Sequence, residues 1–227
     1  MKSTVTVLMA VLVFGVTLHA STRNSKSDIL VMPPSALPEM AQQASQDLLL
    51  HYSSSGAPYL YLEQQGGARL TIFDVSEPAH IRQVGSIDTG LKKAFDFVQP
   101  VSSAMELIRF RDGSGSAILD LRKAQAPRIG DSLQSMVAPI AMVGASGCLA
   151  AAAPVGLLPL DLRAQNLQVF DTADGMNLLA TVDGVTRRAE LSETGTVFLL
   201  GSRGLTVVRS LSAEQECATQ SMVNSHN

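Results

Sequence analysis

Aspartates recur at the ends of apolar runs, and their type and spacing come nearest to a chemical motif in this sequence. Asp74, Asp120 and Asp171 each follow a short run rich in β-branched residues or leucine and precede a polar turn. An aspartate in this position accepts backbone N–H groups of the turn, whereas a metal site or a catalytic site would need the three copies to converge in space. We interpret all three as structural turn residues.

Other spacings that could carry chemistry are incomplete. Asp112, Ser114 and Ser116 have the D-x-S-x-S spacing of a metal-ion-dependent adhesion site, but apolar strand-like runs flank them on both sides, which indicates a hairpin turn. A G-x-S-x-G nucleophile elbow would need glycine where Cys148 stands. The zinc motifs H-E-x-x-H and C-x-x-C are absent. The sequence therefore predicts no catalytic residue, no metal and no cofactor.

Four carboxylates alternate with apolar neighbours on strand-like runs, namely Glu63, Asp96, Glu106 and Glu190. Any two of them could face one pocket, but their spacing does not select a pair with the geometry of a glycosidase. A hydrolase or lyase with a carboxylate site in a central channel is therefore an alternative function. It would be favoured if Asp96, Glu106 or Glu190 shared one concave pocket and had strongly shifted pKa values.

The elements that would position these residues are short strands. From Tyr59 onward, apolar runs are punctuated by Gly, Pro, Asp and Ser, which is typical of an all-β domain. Three stretches share one pattern of strand, aspartate, polar turn and strand: "RLTIFDVSEPAHIRQVGSID" from Arg69, "SAILDLRKAQAPRIGDSL" from Ser116 and "NLQVFDTADGMNLLATVDG" from Asn166. A fourth, "GLTVVRSLSAEQE" from Gly204, has Arg209 where the aspartate would be and lacks the second strand. Such self-similarity indicates a repeat architecture.

The repeat resembles the LVIVD repeat, a β-propeller-type motif with an apolar strand, the pattern L-x-V/I-x-D-V-S-x-P and a later V-G-S. The first copy carries the motif at Leu70, Ile72, Asp74, Val75, Ser76, Pro78, Val84, Gly85 and Ser86. The resemblance implies an all-β fold: a small propeller-like repeat domain of about four units, with a short helical or irregular N-terminal segment. The alternatives are an open, incomplete propeller and a β-sandwich.

The chain divides into four regions on these grounds. Residues 1–20 are a signal peptide, 21–45 a linker, 46–211 the repeat domain and 212–227 a C-terminal tail. In the linker, "DILVM" from Asp28 could close the edge left by the incomplete fourth repeat, so we expect the two ends of the domain to pair. "LPEMAQQASQDLLL", from Leu37 to Leu50, is the best helix candidate, although "QDLLLHYS" also suits a strand.

The first twenty residues have the layout of a secretory signal peptide, with Lys2 before an uncharged apolar run from Val5 to Leu18. This run is shorter than the about 20 apolar residues that a membrane-spanning helix needs. We expect cleavage after Ala20, a periplasmic or secreted chain and no stable membrane span after cleavage. An uncleaved N-terminal membrane anchor is the alternative.

The two cysteines of the chain, Cys148 and Cys217, could form a disulfide in an oxidising compartment. The alternative is a buried thiol at Cys148 and an exposed thiol on the tail at Cys217. The apolar stretch "CLAAAAPVGLLPLDL", which begins at Cys148, favours a core strand followed by an insertion. If its second half is exposed instead, Leu157, Leu158 and Leu160 would form a partner-binding surface.

The net charge of −3, from 20 acidic and 17 basic residues, provides no basic surface of the kind that nucleic-acid binding requires. Turn chemistry in every repeat without an active-site signature favours a non-enzymatic extracytoplasmic scaffold or protein-interaction module. We expect its partner to be another envelope or extracellular protein. A further alternative is an accessory subunit of a cell-surface assembly.

Overall fold

The structure, a computed structural model, describes residues 27–130, 164–171 and 176–224. These residues are mostly β-structure in four small antiparallel sheets, followed by one helix. Strand β1 (Ile29–Met32) comes first, followed by two short 3₁₀ turns at Pro34–Ala36 and Glu39–Gln42. The expected predominance of β-structure is therefore confirmed. No helix in this described part of the chain has the length and apolar character needed to cross a membrane.

Each sheet is built mainly from strands that follow one another in the chain. The first sheet comprises β2 (Ser45–Tyr52), β3 (Pro58–Gln64), β4 (Arg69–Asp74) and β5 (Arg82–Asp88). The second comprises β6 (Phe95–Ser102), β7 (Met105–Phe110), β8 (Ser116–Asp120) and β9 (Arg128–Ile129). The third consists, in the described residues, of β10 (Gln165–Asp171) and β11 (Asn177–Val185). The fourth comprises β12 (Arg187–Leu191), β13 (Thr196–Gly201), β14 (Gly204–Ser210) and β1, and helix α1 (Leu211–Asn224) follows it.

The first sheet is buried on both faces because its side chains alternate between two apolar cores. On β3, Leu60 and Leu62 belong to the core shared with the fourth sheet, whereas Tyr61 belongs to the core shared with the second sheet. We call these the first–fourth core and the first–second core. The first–fourth core contains Phe73, Phe198, Leu200, Leu205 and Val207 in addition. The first–second core contains Leu70, Ile72, Phe95, Ile108, Phe110 and Leu119 in addition.

A third, smaller cluster joins the third and fourth sheets. Val182 and Val185 of β11 pack with Leu199 of β13. In the described residues the sheets are therefore linked by apolar contact in the order second, first, fourth, third.

The turn between β3 and β4 packs closely on the segment before β6, and this contact requires glycine. A Cβ on Gly67, whose φ is +87°, would lie 1.9 Å from the carbonyl oxygen of Lys93.

The two ends of the described chain meet in the fourth sheet. Strand β1 pairs antiparallel with β14, with Ile29 opposite Ser210 and Met32 opposite Val207, as the sequence predicts. Asp28 extends this contact, because its carboxylate accepts the backbone N–H of Ser212 at 2.7 Å and the hydroxyl of Ser210 at 2.9 Å. Hydrogen bonding, first of all from the Ser212 hydroxyl, lowers the pKa of Asp28. Strand β1 thus occupies the edge of β14, as expected for "DILVM".

The helix expected from Leu37 to Leu50 is wrong, and the alternative of a strand at "QDLLLHYS" is confirmed. Glu39–Gln42 form a single 3₁₀ turn, and β2 begins at Ser45. The strand forms because Leu48 and Leu50 belong to the first–fourth core while Leu49 packs against the first–second core, a period of two that only a strand provides. Residues beyond 211, assigned to a tail, are helical as far as Asn224. Residues 1–20 lie outside the described part of the chain.

Candidate functional site

Two of the three aspartates that the sequence aligns hold the turns that follow their strands. Asp74 Oδ1 accepts the backbone N–H of Ser76, and Asp120 Oδ1 accepts that of Arg122, each at 3.0 Å. These are the contacts of Asx turns. Asp171 ends β10 opposite Asn177 and is 7% exposed. The three aspartates end strands of three different sheets, and the described residues contain no group of three His, Cys, Asp or Glu side chains that could hold a metal.

The same contact explains the segment with D-x-S-x-S spacing. Asp112 Oδ1 accepts the backbone N–H of Ser114 at 2.9 Å, in the turn between β7 and β8.

In the stretch from Gly204, Arg209 stands where the aligned stretches have aspartate, and it has a different partner. Its Nε donates to Glu214 Oε1 of α1 at 2.7 Å. The arginine therefore fixes the helix to β14 at the position where the other repeats begin a turn.

Four of the residues that the sequence singles out cannot be placed. Cys148, Leu157, Leu158 and Leu160 lie outside the described residues. Cys217 lies in α1 and is partly buried. The disulfide and the leucine surface therefore stay predictions.

The most highly charged part of the interior lies where β2, β6 and β12 approach one another. Arg187 of β12 donates from Nε to Asp47 Oδ1 at 2.6 Å and from Nη2 to Asp96 Oδ1 at 2.9 Å. Arg111 donates to the same Asp96 oxygen from Nε at 2.9 Å and from Nη2 at 2.7 Å. We call Asp47, Asp96, Arg111 and Arg187 the central ion cluster. Its side chains join the first, second and fourth sheets.

Asp47 is the most deeply buried member of the cluster and is 2% exposed. Its two oxygens also accept backbone N–H groups, Oδ1 from Leu48 and Oδ2 from Phe97, each at 2.9 Å. Burial raises the pKa of Asp47, and the charge of Arg187 is the largest influence that opposes the rise. The carboxylate therefore holds β2 against β6 and β12.

Two glutamates lie between the first and second sheets. Glu63 stands directly opposite Asp47 in the β2–β3 ladder and is fully buried, and neither of its carboxylate oxygens has a hydrogen-bond partner. Burial raises the pKa of Glu63 to about 7, while the charge of Arg111 opposes the rise. Glu106 of β7 is 4% exposed, and burial, followed by the charge of Asp47, raises its pKa to about 7.

The conditions for a carboxylate active site are met only in part. The pKa of Glu106 is shifted, but Asp96 is bound by two arginines, and Glu190 forms a partly exposed ion pair with Arg188 at 2.8 Å. The larger of the two cavities described, of about 340 Å³, is lined by Asp120, Arg122, Lys123, Ala126 and Arg128. Neither this cavity nor the smaller one between the third and fourth sheets contains any of the three carboxylates.

Exposed apolar side chains concentrate at one end of the third sheet. Phe170 is 36% exposed, Met176 77%, Leu178 53% and Leu179 38%. Phe170 and Leu178 are register partners and share one face at the end of β10 and the start of β11, whereas Leu179, the next residue of β11, points to the other face. We call these four residues the apolar end of the third sheet. Neighbouring exposed apolar side chains such as Phe170 and Leu178 mark an interaction surface more often than an isolated exposed leucine does.

No family model matches the chain, and no curated protein matches it. The resemblance to LVIVD repeats therefore stays a prediction that the first repeat carries.

The central ion cluster is the feature that sequence reasoning missed. Its members lie far apart in the sequence, and Asp47 lies in "QDLLLHYS", where the sequence suits both a helix and a strand. The signal that could have found it is charge inside apolar strands. Asp96, Glu63 and Glu106 show this signal and are singled out by it, whereas Arg187 in "TRRAELS" is not.

Proposed function

We propose that this chain is a non-enzymatic, extracytoplasmic, β-propeller-like module that binds another envelope or extracellular protein. Four small sheets linked in series by apolar cores, with β1 completing the fourth, support the propeller-like architecture. The signal-like run at residues 5–18 supports export.

The observation that carries the binding role is the apolar end of the third sheet. The charges of the central ion cluster are paired with one another and hold sheets together, which leaves them poorly available to a substrate. By contrast, Phe170, Met176, Leu178 and Leu179 present apolar surface to solvent. Burying such side chains against a partner would contribute roughly 25 cal/mol for each Å² removed from water.

A photocrosslinking experiment tests this surface in the native envelope. A benzophenone amino acid replaces Phe170, and a matched probe replaces Val101, which is 51% exposed on β6 of the second sheet. We expect one specific adduct from position 170 and none from position 101. The adduct should disappear when Leu178→Ser is added and persist when Val101→Ser is added. Identical adducts from both probes, or an adduct that survives Leu178→Ser, would contradict the proposal.

A hydrolase or lyase is the second candidate because Glu106 has the raised pKa of a general acid. Its 4% exposure requires the second sheet to open before a substrate could reach it. The purified chain and its Glu106→Gln variant would be screened against glycosides and esters. Turnover that the variant lacks, with its fold unchanged by circular dichroism, would favour this candidate over the binding module.

A further inference from the structure

The contact between the first and second sheets contains an unusual number of ionisable groups. Residues two apart on a strand share a face, so Glu63 lies on the same face of β3 as Tyr61, and Glu106 on the same face of β7 as Ile108. Tyr61 and Ile108 both belong to the first–second core. The two glutamates therefore point into the apolar contact between the sheets, next to the central ion cluster.

The charges in this contact balance in only one protonation state. Asp47 and Asp96 are neutralised by Arg111 and Arg187, which bind them directly. If Glu63 and Glu106 were ionised as well, the contact would contain four carboxylates and two arginines. Two negative charges would then be buried without a partner, which an apolar interior strongly disfavours. With both glutamates protonated, the buried charges sum to zero.

The other titratable groups facing the contact do not supply the missing positive charge. His51 of β2 packs edge-on against Tyr61, and burial lowers its pKa, which favours the neutral ring. Tyr61 donates its hydroxyl to the carbonyl of Ala124, and burial raises its pKa, so it stays neutral; Tyr59 lies on the same face of β3. Lys93 lies over the ring of Phe110, at 4.1 Å from its centroid, and its ammonium donates to the exposed Ser114.

We propose that Glu63 and Glu106 make the packing of the first sheet on the second proton-linked, so that ionisation of the two carboxyls favours opening of this contact. The burial of both glutamates supports the proposal: neither oxygen of Glu63 meets a hydrogen-bond partner, and the charge of Arg111 only partly offsets the cost of burying its ionised form. The raised pKa values agree with it: both glutamates titrate at about 7 rather than at their usual 4.5.

The sign of the pH dependence follows from these values. A carboxyl whose pKa is higher in the folded state than in the open state binds its proton more tightly when folded. Its contribution is fully present below the usual pKa of 4.5 and is lost as the pH rises through about 7. Between about pH 5.5 and about pH 8.5, opening should become about 30-fold more frequent for each of the two carboxyls that it exposes.

Hydrogen exchange at single amides measures this opening. The N–H of Phe97, which donates to Asp47 Oδ2 of the first sheet, reports on the first–second contact. The N–H groups in the ladder between β13 and β14 report on the fourth sheet. After correction for the intrinsic effect of pH on exchange, protection at Phe97 should fall as the pH rises. Protection in the fourth sheet should change much less.

Substitutions test whether the two glutamates, and not other titrating groups, cause the pH dependence of opening. Glu63→Gln and Glu106→Gln remove the titration at similar size, so each should reduce the pH dependence and the double variant should abolish it. Glu190→Gln is the matched control, because Glu190 is partly exposed and paired with Arg188. An unchanged pH dependence in the double variant would overturn the proposal. So would carboxyl ¹³C titrations of the unaltered chain that place both glutamates near their usual pKa, a measurement that needs no variant to fold.

Discussion

Removal of the Arg187 side chain tests whether the central ion cluster holds three sheets together. Methionine is the substitution of choice because it keeps an unbranched apolar stem and removes the charge. In Arg187→Met, Asp96 retains Arg111, but Asp47 loses its only ion-pair partner in the cluster and keeps two backbone N–H groups. The loss therefore falls mainly on Asp47, which is 2% exposed.

The expected cost follows from that burial. Removing one partner of a buried ion pair costs about 3–5 kcal/mol, because the other charge stays buried without compensation. The two backbone N–H groups that remain on Asp47 place this variant at the lower end, so we expect the free energy of unfolding to fall by about 3 kcal/mol. Adding Asp47→Asn removes the stranded charge and should restore part of this loss.

Urea unfolding of the purified chain, followed by circular dichroism, measures the effect. Arg188→Met is the control: Arg188 is the next residue along β12, its side chain is 53% exposed, and it pairs with Glu190. An exposed pair contributes less than about 1 kcal/mol, so this variant should unfold close to the unaltered chain. The reasoning would be refuted if the two arginine variants lost the same stability, or if Asp47→Asn deepened the loss in Arg187→Met.

Two further substitutions test contacts that the fold requires. Gly67→Ala should lower the free energy of unfolding by about 3 kcal/mol or more, because its Cβ would overlap the carbonyl of Lys93. Gly113→Ala, at φ +75° with open space around it, should cost about 1 kcal/mol. Thermal unfolding midpoints compare the two variants, and equal shifts would contradict the packing argument. Asp28→Ala should lower the free energy of unfolding by about 1 kcal/mol, because it removes the carboxylate that caps α1 at Ser212. This cost should shrink as the pH falls through the lowered pKa of Asp28. A cost that does not change with pH in urea unfolding would argue against the cap.

The strands could be predicted from the sequence because each carries its own signal. "RLTIFD" and "TVFLLG" have apolar runs of strand length between turn residues, and both are strands, β4 and β13. The first of these also carries the aspartate that holds its turn. Local chemistry sufficed here because a strand and its turn are defined within about ten residues.

The errors lie where distant contacts decide the outcome. "QDLLLH" has no decisive local preference, and it becomes β2 because β3 pairs with it and two cores accept its alternate faces. Helix α1 was not predicted, because its first residues follow β14 where the aligned stretches have a polar turn. Ser210 nevertheless accepts the N–H of Ala213 as an N-cap serine does. The central ion cluster has no local signature at all, because only the stacking of sheets brings Asp47 to Arg187.

The pairing of β1 with β14 has a consequence for the order in which this protein can acquire its structure. A ribosome produces Ile29 long before Ser210, its register partner, and the first sheet lies entirely between them in the chain. The first sheet can therefore form early from neighbouring strands, whereas the fourth waits for almost the last residues described, and until then the edge of β1 stays open to other chains. A chain truncated before β14 would leave the edge of β1 unpaired permanently.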